Sequence, residues 1–326
     1  MERLDAFMAR ANAAYYAERD PYADFTTSPE VTQVFGELLG LWAAIAWDAM
    51  GRPDPVLLLE CGPGRGTLKA DALRAIASVA APFRAALRVH LVETSPRLRE
   101  QQAARIPDAT WHDALADAPP GPLILLANEF LDALPIRQFV RRGAGWAERF
   151  VNGGDFVEQP ATPLGLDAAS VGEGAIMELC EPARAVVDHV ARRVVRDGGI
   201  ALFLDYGPSE SAPGDSLQAL CRGRPASPLD GPGDADLTAH VDFAALARTA
   251  RTAGAAVHGP VPPGRFLTRI GLFQRTGRLA RTQPPARAAV LMQAAQRLAE
   301  PDRMGRLFKA MAISHPTLPC PAGFEP

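Results

Sequence analysis

The segment VLLLECGPGRGTLKADALRAI, beginning at Val56, constrains the fold more than any other part of the chain. Val56–Leu59 is wholly apolar, as a strand covered on both faces must be. The run Glu60-Cys61-Gly62-Pro63-Gly64-Arg65-Gly66-Thr67 then supplies three alternating glycines, and a helical pattern follows. Glycines at such a junction permit left-handed backbone and let a ligand approach amides at a helix N-terminus. Further strand patterns lie at LRVHLVE (87–93), Ala109–His112, Leu123–Ala127 and Gly199–Leu204, with helical patterns at 95–105 and Ala183–Arg196. This alternation predicts an α/β protein with a doubly wound, Rossmann-like sheet.

The glycine spacing separates the nucleotide chemistries. A dinucleotide fingerprint needs a third glycine three places after the second, where this chain has Thr67. A P-loop needs Gly-Lys-Ser/Thr, which does not occur here. What stands is GxGxG headed by Glu60, the pattern of enzymes that use S-adenosyl-L-methionine. The acid is suited to the ammonium of the methionine part, and the short turn leaves room for a carboxylate in place of a pyrophosphate. Glu60, Gly62, Pro63, Gly64 and Gly66 are therefore candidate cofactor residues. Glu93, followed by Thr94 at the end of the next strand, is suited to both ribose hydroxyls. Asp113, after the third strand, is a candidate for the adenine amino group or else a helix cap. Asn128 ends the fourth strand, and Thr27 and Ser28, with Tyr22, belong to an N-terminal segment placed to close the pocket.

The rest of the chain bounds the class. A net charge of −3 gives no global reason to expect nucleic acid or an anionic membrane as partner. Cys61, Cys180, Cys221 and Cys320 are scattered without a CxxC pair, which fits a reducing compartment, and the histidines have no metal-ligand spacing. No apolar run has the length of a signal peptide or a membrane span, so a cytoplasmic protein is expected. Residues 1–20 read as a helical lead and 21–29 as a turn-rich stretch. Ser28 before Pro29 reads as an N-cap for a helix to about Met50. Residues 1–50 are thus a helical cover, and 51–326 a catalytic domain with insertions near 136–182 and 263–305. The first insertion reads as hairpin strands joined by glycine turns; 208–236 reads as a long loop, 266–305 as helices broken by proline, and Leu307–Ile313 as a last strand.

Several segments carry a resemblance to a known family. They are DFTTSPEVTQVFGELLGLW (24–42), ECGPGRGTLKADALRA (60–75), NEFLDALPIRQF (128–139), LFLDYG (202–207), DLTAHVDFAAL (236–246), GRFLTRIG (264–271) and MGRLFKAMAIS (304–314). In order along nearly the whole chain, they resemble the MidA-like family of class I methyltransferases, whose mitochondrial members are complex I assembly methyltransferases. The resemblance implies a seven-stranded, mostly parallel sheet with an antiparallel last strand, an N-terminal helical cover and inserted helices. It also implies protein arginine methylation, known for the mitochondrial branch, with a respiratory complex I subunit as the corresponding protein substrate. Pro263-Gly264-Arg265-Phe266-Leu267 departs from the family, which often has glutamine at the first position.

Asn128-Glu129-Phe130-Leu131-Asp132 leaves the fourth strand at its carboxyl end, where parallel α/β sheets place ligands. It lacks the Asn/Asp-Pro-Pro-aromatic motif of nucleobase N-methyltransferases. A guanidinium acceptor is permanently charged, and carboxylates hold it in a fork. Glu129 and Asp132 are the catalytic candidates for that grip, although Glu129 could equally serve the cofactor and Asp132 could cap a turn. Asp205, Tyr206 and His240 are weaker candidates. The alternatives are a methyltransferase for another acceptor and a non-catalytic assembly factor that retains the cofactor fold.

Overall fold

The computed structural model describes residues 1–19, 27–163, 165–300 and 308–326. The chain starts with a short strand, β1 (Glu2–Arg3), and helix α1 (Leu4–Glu18); α2 (Ser28–Val31) and α3 (Gln33–Ala49) follow. The alternating stretch comprises β2 (Val56–Cys61), α4 (Thr67–Val79), α5 (Ala81–Ala86), β3 (Leu87–Val92), α6 (Pro96–Arg105), β4 (Thr110–His112) and β5 (Leu123–Asn128). An inserted group holds β6 (Arg137–Arg142), β7 (Gly145–Asn152), β8 (Asp155–Ala161) and β9 (Ile176–Leu179). After it come α7 (Glu181–Asp197), β10 (Gly199–Tyr206), β11 (Gln218–Cys221), β12 (Arg224–Ala226), β13 (Asp236–Thr238) and α8 (Phe243–Thr252). The remaining elements are β14 (Ala256–Val261), α9 (Pro263–Arg269), α10 (Leu272–Ala280), α11 (Pro285–Ala299) and β15 (Phe308–Ser314).

The largest sheet has seven strands in the order β14-β15-β10-β5-β2-β3-β4. Strands β10, β5, β2, β3 and β4 pair in parallel. β15 runs antiparallel to both of its neighbours, β10 and β14. Every residue of β2 and β5 is buried, which is why Val56–Leu59 and Leu123–Ala127 read as unbroken apolar runs. One face packs on α3 and α4 through Val34, Phe35, Leu38 and Trp42, the other on α7 and α8 through Val187, Val190, Phe243 and Leu246. α3 and α4 approach at Gly40, where a Cβ would lie 2.6 Å from the Ala72 carbonyl oxygen. Only glycine permits that approach.

The insertion forms a separate antiparallel sheet, β1-β7-β6-β9 with β8 on the outside of β7, as the glycine turns in the sequence suggested. α1 packs across it through Leu4, Phe7, Met8 and Ala11, against Ile136, Val151, Ala219 and Leu237.

Four expectations change. The helix read from Ser28 to Met50 is interrupted: α2 ends at Val31, Thr32 is extended, and the Thr32 side chain caps α3 by accepting from the Val34 amide. Ser28 is therefore the first helical residue of α2 and no cap. Residues 208–236 are not a plain loop, since β11 and β12 form a hairpin completed by β13. The seventh strand, β14, escaped the sequence reading because Gly259 and Pro260 interrupt its pattern, and its pairing with β15 shifts register between His258 and Val261. Finally, α8 occupies a stretch the sequence reading left unassigned. Tyr22 and most of the 21–29 segment lie outside the described residues. No helix among the described residues is long and apolar enough to cross a membrane.

Candidate cofactor and acceptor site

The glycine turn leaves β2 at the carboxyl edge of the large sheet. Gly62, Gly64 and Gly66 all have positive φ, at 63°, 55° and 79°, a region that L side chains rarely enter. A Cβ at Gly62 would lie 2.9 Å from Cδ2 of Phe130, so the turn is in close contact with the loop after β5. Gly66 faces a different neighbour. It precedes α4, and a Cβ there would press on Ile106 and Gln102 of the α6 region.

A cavity of about 560 Å³ opens above this edge. Its walls are Gly62–Arg65, Glu93–Pro96, Asn128–Phe130 and Ala133–Pro135, with Glu60 at the base and Thr27, Pro29 and Glu30 at one side. Thus Glu60, Gly62, Pro63, Gly64, Glu93, Thr94, Asn128, Thr27 and Glu129 converge on one space from four separate stretches of sequence. Gly66, Ser28, Asp132 and Asp113 stand outside its lining. Asp113 is solvent-exposed and pairs with Arg99 at 2.6 Å, while the Arg99 Nε donates to the Glu93 carbonyl at 2.7 Å. Its contact with the site runs through Arg99.

Glu60 and Glu93 end neighbouring parallel strands. Glu93 accepts from the Ser95 amide at 2.8 Å and from Gln102 Nε2 at 3.2 Å, one bond on each oxygen, which leaves acceptor capacity on both. Burial raises its pKa above the ordinary carboxylate range. Burial does the same to Glu60, partly offset by the buried Lys69 beside it.

The roof of the cavity is α1, which contributes Ala9, Asn12, Ala13, Tyr16 and Ala17. Asn12 Nδ2 donates to the carbonyls of Ala133 and Leu237 at 3.0 and 2.8 Å, and its Oδ1 accepts from the Leu237 amide at 3.0 Å. The Tyr16 hydroxyl donates to Asp236 at 2.8 Å. Ser95 Oγ donates to the Tyr16 carbonyl at 3.1 Å. These residues were missed in the sequence, where α1 shows only a helical pattern. The polar positions Asn12 and Tyr16, four apart on one helical face, were the available signal.

The loop after β5 carries the acids. Glu129 has φ 50°, a strained backbone for a residue with a Cβ. Its Oε1 accepts from the Ser28 amide and from Asn128 Nδ2, both at 3.0 Å. With Thr67 Oγ1 donating to Glu30 at 2.6 Å, this bond holds α2 against the cavity mouth. Asp205, the end of β10, explains how the loop keeps its shape. Its Oδ2 accepts from the amides of Phe130, Leu131 and Asp132, and its Oδ1 from that of Tyr206. Asp205 is thus an internal anchor of the loop. His240 donates its amide to Ser216 and lies against a separate small crevice beside Cys180 and Arg184. Tyr206 stacks at a tilt on Phe308.

Asp132 is half-buried. Its pKa lies well above the ordinary range because burial disfavours its charge and because Asp205, Glu129 and Asp236 repel it. Burial likewise raises Glu129. Among the described residues neither Glu129, Asp132 nor Asp205 pairs with a lysine or arginine. No cluster of three or more metal-ligating side chains occurs among the described residues either.

The cavity suits an adenosyl amino acid. Carboxylates at two adjacent strand ends match an ammonium and a vicinal diol. Asn128, 8% exposed, lines the same cavity and has a buried Oδ1 without a hydrogen-bond partner among the described residues, and a buried acceptor left unpaired is costly unless a ligand donates to it.

Comparison with known proteins agrees with this geometry. A family model described as "Putative S-adenosyl-L-methionine-dependent methyltransferase" matches residues 38–261. The chain is 33% identical to the Drosophila melanogaster protein named "Protein arginine methyltransferase NDUFAF7 homolog, mitochondrial", over 96% of this chain and 80% of that one. Its human counterpart is also 33% identical, over 96% of this chain and 79% of that one. Among solved structures, a protein from Burkholderia thailandensis crystallised with S-adenosyl-homocysteine superposes with a TM-score of 0.80 at 28% identity, covering 99% of this chain and 88% of that chain. The glycine turn, the paired strand-end acids and these matches lead to one conclusion: this chain belongs to the family of S-adenosyl-L-methionine-dependent methyltransferases, and that molecule is its cofactor.

Proposed function

We propose that the chain methylates an arginine side chain of a protein. The observation that carries this reading is the set of acids around the loop after β5, with Glu129 lining the cavity and Asp132 and Asp205 behind it. Glu129, Asp132 and Asp205 bring three carboxyl groups together in a buried region, and no lysine or arginine among the described residues forms an ion pair with them. Burying like charges together is unfavourable, and a guanidinium entering the cavity relieves it. The names of the two relatives as protein arginine methyltransferases support the same acceptor.

When bound, the cofactor supplies a methyl group already activated by its sulfonium, so the protein has to provide position and a receptive nitrogen. Glu60 takes the ammonium of the methionine part, Glu93 and Thr94 the ribose end, and the amides of Gly62, Pro63 and Gly64 the edge nearest the turn. Asn128 offers its free Oδ1, while Thr27 closes the side and Ser28 supports it from behind through the amide held by Glu129. Glu129 lines the cavity and is the direct grip on the guanidinium. Asp132 acts from behind it, through charge. The guanidinium sheds one proton on methylation, and a carboxylate whose proton affinity is raised by burial is suited to receive it.

On this reading residues 1–50 form a cover over a class I methyltransferase domain spanning 51–326. By resemblance the substrate is a subunit of respiratory complex I, modified in the cytoplasm, a compartment in which four free cysteines stay reduced. The test is transfer of labelled methyl from cofactor into a lysate of cells lacking this protein, with the labelled residue identified by mass spectrometry. Label on ω-nitrogens of arginine is the expected result. Label confined to small molecules, or to other side chains, overturns the arginine reading.

A further inference from the structure

Lys69 lies in the first turn of α4 and is completely buried. Its Nζ stands 3.6 Å from Oε2 of Glu60, whose side chain is 3% exposed. Neither atom has a hydrogen-bond partner among the described residues, so the two charges meet without the geometry that normally offsets desolvation. Glu60 is the acid that lines the cofactor cavity, and Lys69 is its only ion-pair partner among the described residues. The carboxylate suited to a ligand ammonium therefore already has an internal ammonium on its far side.

This arrangement fixes the charge balance at the base of the cavity. Lys69 and Glu60 together are neutral. A ligand end that is a lone cation would leave three charges with a net positive sum in a buried space. A ligand end that is a zwitterion brings its own carboxylate and keeps the sum at zero. We infer that Lys69 is a specificity-determining residue that makes the site require the α-carboxylate of the cofactor's amino-acid end, acting through Glu60. Burial lowers the pKa of Lys69 and Glu60 raises it, in keeping with two groups that depend on each other for their charge. The inference concerns the cofactor side alone and is independent of which acceptor is methylated.

The test is calorimetric binding of three ligands that share the adenosyl thioether: S-adenosylhomocysteine, its decarboxylated amine adenosylthiopropylamine, and methylthioadenosine, which lacks the amino-acid end. In the parent protein the amine is expected to bind no more tightly than methylthioadenosine, because Glu60 is already matched to a cation. In Lys69→Gln, which keeps a polar neighbour for Glu60 but removes the charge, the amine should bind about tenfold or more tightly than methylthioadenosine, and the preference for S-adenosylhomocysteine over the amine should shrink by a similar factor. A merely structural lysine would alter all three affinities together. A parent protein that binds the amine tenfold or more tightly than methylthioadenosine overturns the inference without any variant. So does a folded Lys69→Gln protein with the parental order and spacing of affinities. Lys69→Met supplies a second uncharged variant should the glutamine fail to fold.

Discussion

Glu129→Gln separates the hydrogen bonds Glu129 makes in the structure from the grip on the acceptor proposed for it. In the structure one oxygen, Oε1, accepts both local hydrogen bonds, from the Ser28 amide and from Asn128 Nδ2. A glutamine can present its carbonyl oxygen to the same two donors, so the closure of α2 over the cavity is retained. What disappears is the charge, and the second oxygen becomes an NH₂ that cannot accept from a guanidinium. Charge-assisted hydrogen bonds contribute roughly 1.5–3 kcal/mol each, and losing one such bond together with the misplaced donor costs about 3 kcal/mol of transition-state stabilisation. At 1.36 kcal/mol per factor of ten, methyl transfer to arginine should fall roughly a hundredfold, with S-adenosylhomocysteine affinity near the parental value. Glu129→Ala removes both acceptors and should cost about 2 kcal/mol locally, seen as faster hydrogen exchange at the Ser28 amide. The assays are calorimetry with S-adenosylhomocysteine and transfer of labelled methyl to the identified acceptor. Parental turnover in Glu129→Gln would refute the grip. Loss of S-adenosylhomocysteine binding in the same variant would place Glu129 on the cofactor side and refute the separation of roles.

Three further outcomes follow from named contacts. Gly62→Val must adopt a φ of 63° and drive a side chain into Phe130, so S-adenosylhomocysteine binding should vanish while circular dichroism keeps its parental form; retained affinity would contradict the close turn. Asp205→Asn leaves at least one of four loop amides without an acceptor, which should lower stability by about 1–3 kcal/mol in urea unfolding, and an unchanged midpoint would show that the carboxylate is no anchor. Asp132 has a folded pKa raised above its unfolded value of about 3.9. Its stabilising contribution is complete below about pH 3.9 and is lost as pH rises through the folded pKa. Asp132→Asn should therefore gain in melting temperature relative to the parent as pH rises from about 5 to 8, since it carries no charge to bury; a difference that is flat with pH would exclude a buried, repelled Asp132.

The grouping of the glycine turn with Glu60 and Glu93 around one cavity was legible because it is local. A buried apolar strand, an acid and a glycine turn occupy one continuous stretch, and Glu93 ends the strand next in sequence. The roof was not legible in the same way. Asn12 and Tyr16 reach the cavity only because α1 is bound to Ala133, Leu237 and Asp236, residues more than a hundred positions away. Lys69 reads as an ordinary surface residue of a helix, and only the packing of α4 against the sheet buries it beside Glu60. Asp205 was read as an acceptor candidate because strand-end acids in such sheets often face ligands, yet the loop it faces folds back onto it. The helix break at Thr32 was hidden because apolar periodicity runs through it, and only its extended φ of −163° marks the joint.

The position of β15 bears on how the molecule is made. Its seven buried residues lie between β10 and β14, each of which leaves the ribosome earlier. Until Phe308–Ser314 emerges, the nascent chain has a gap in its sheet and two unpaired edges flanking it. Open edges of that kind recruit strands from other molecules. Biosynthesis of this enzyme therefore includes an interval in which most of its cofactor turn can already be formed while its sheet is still open, and a chain released within that interval is a substrate for chaperones or for aggregation.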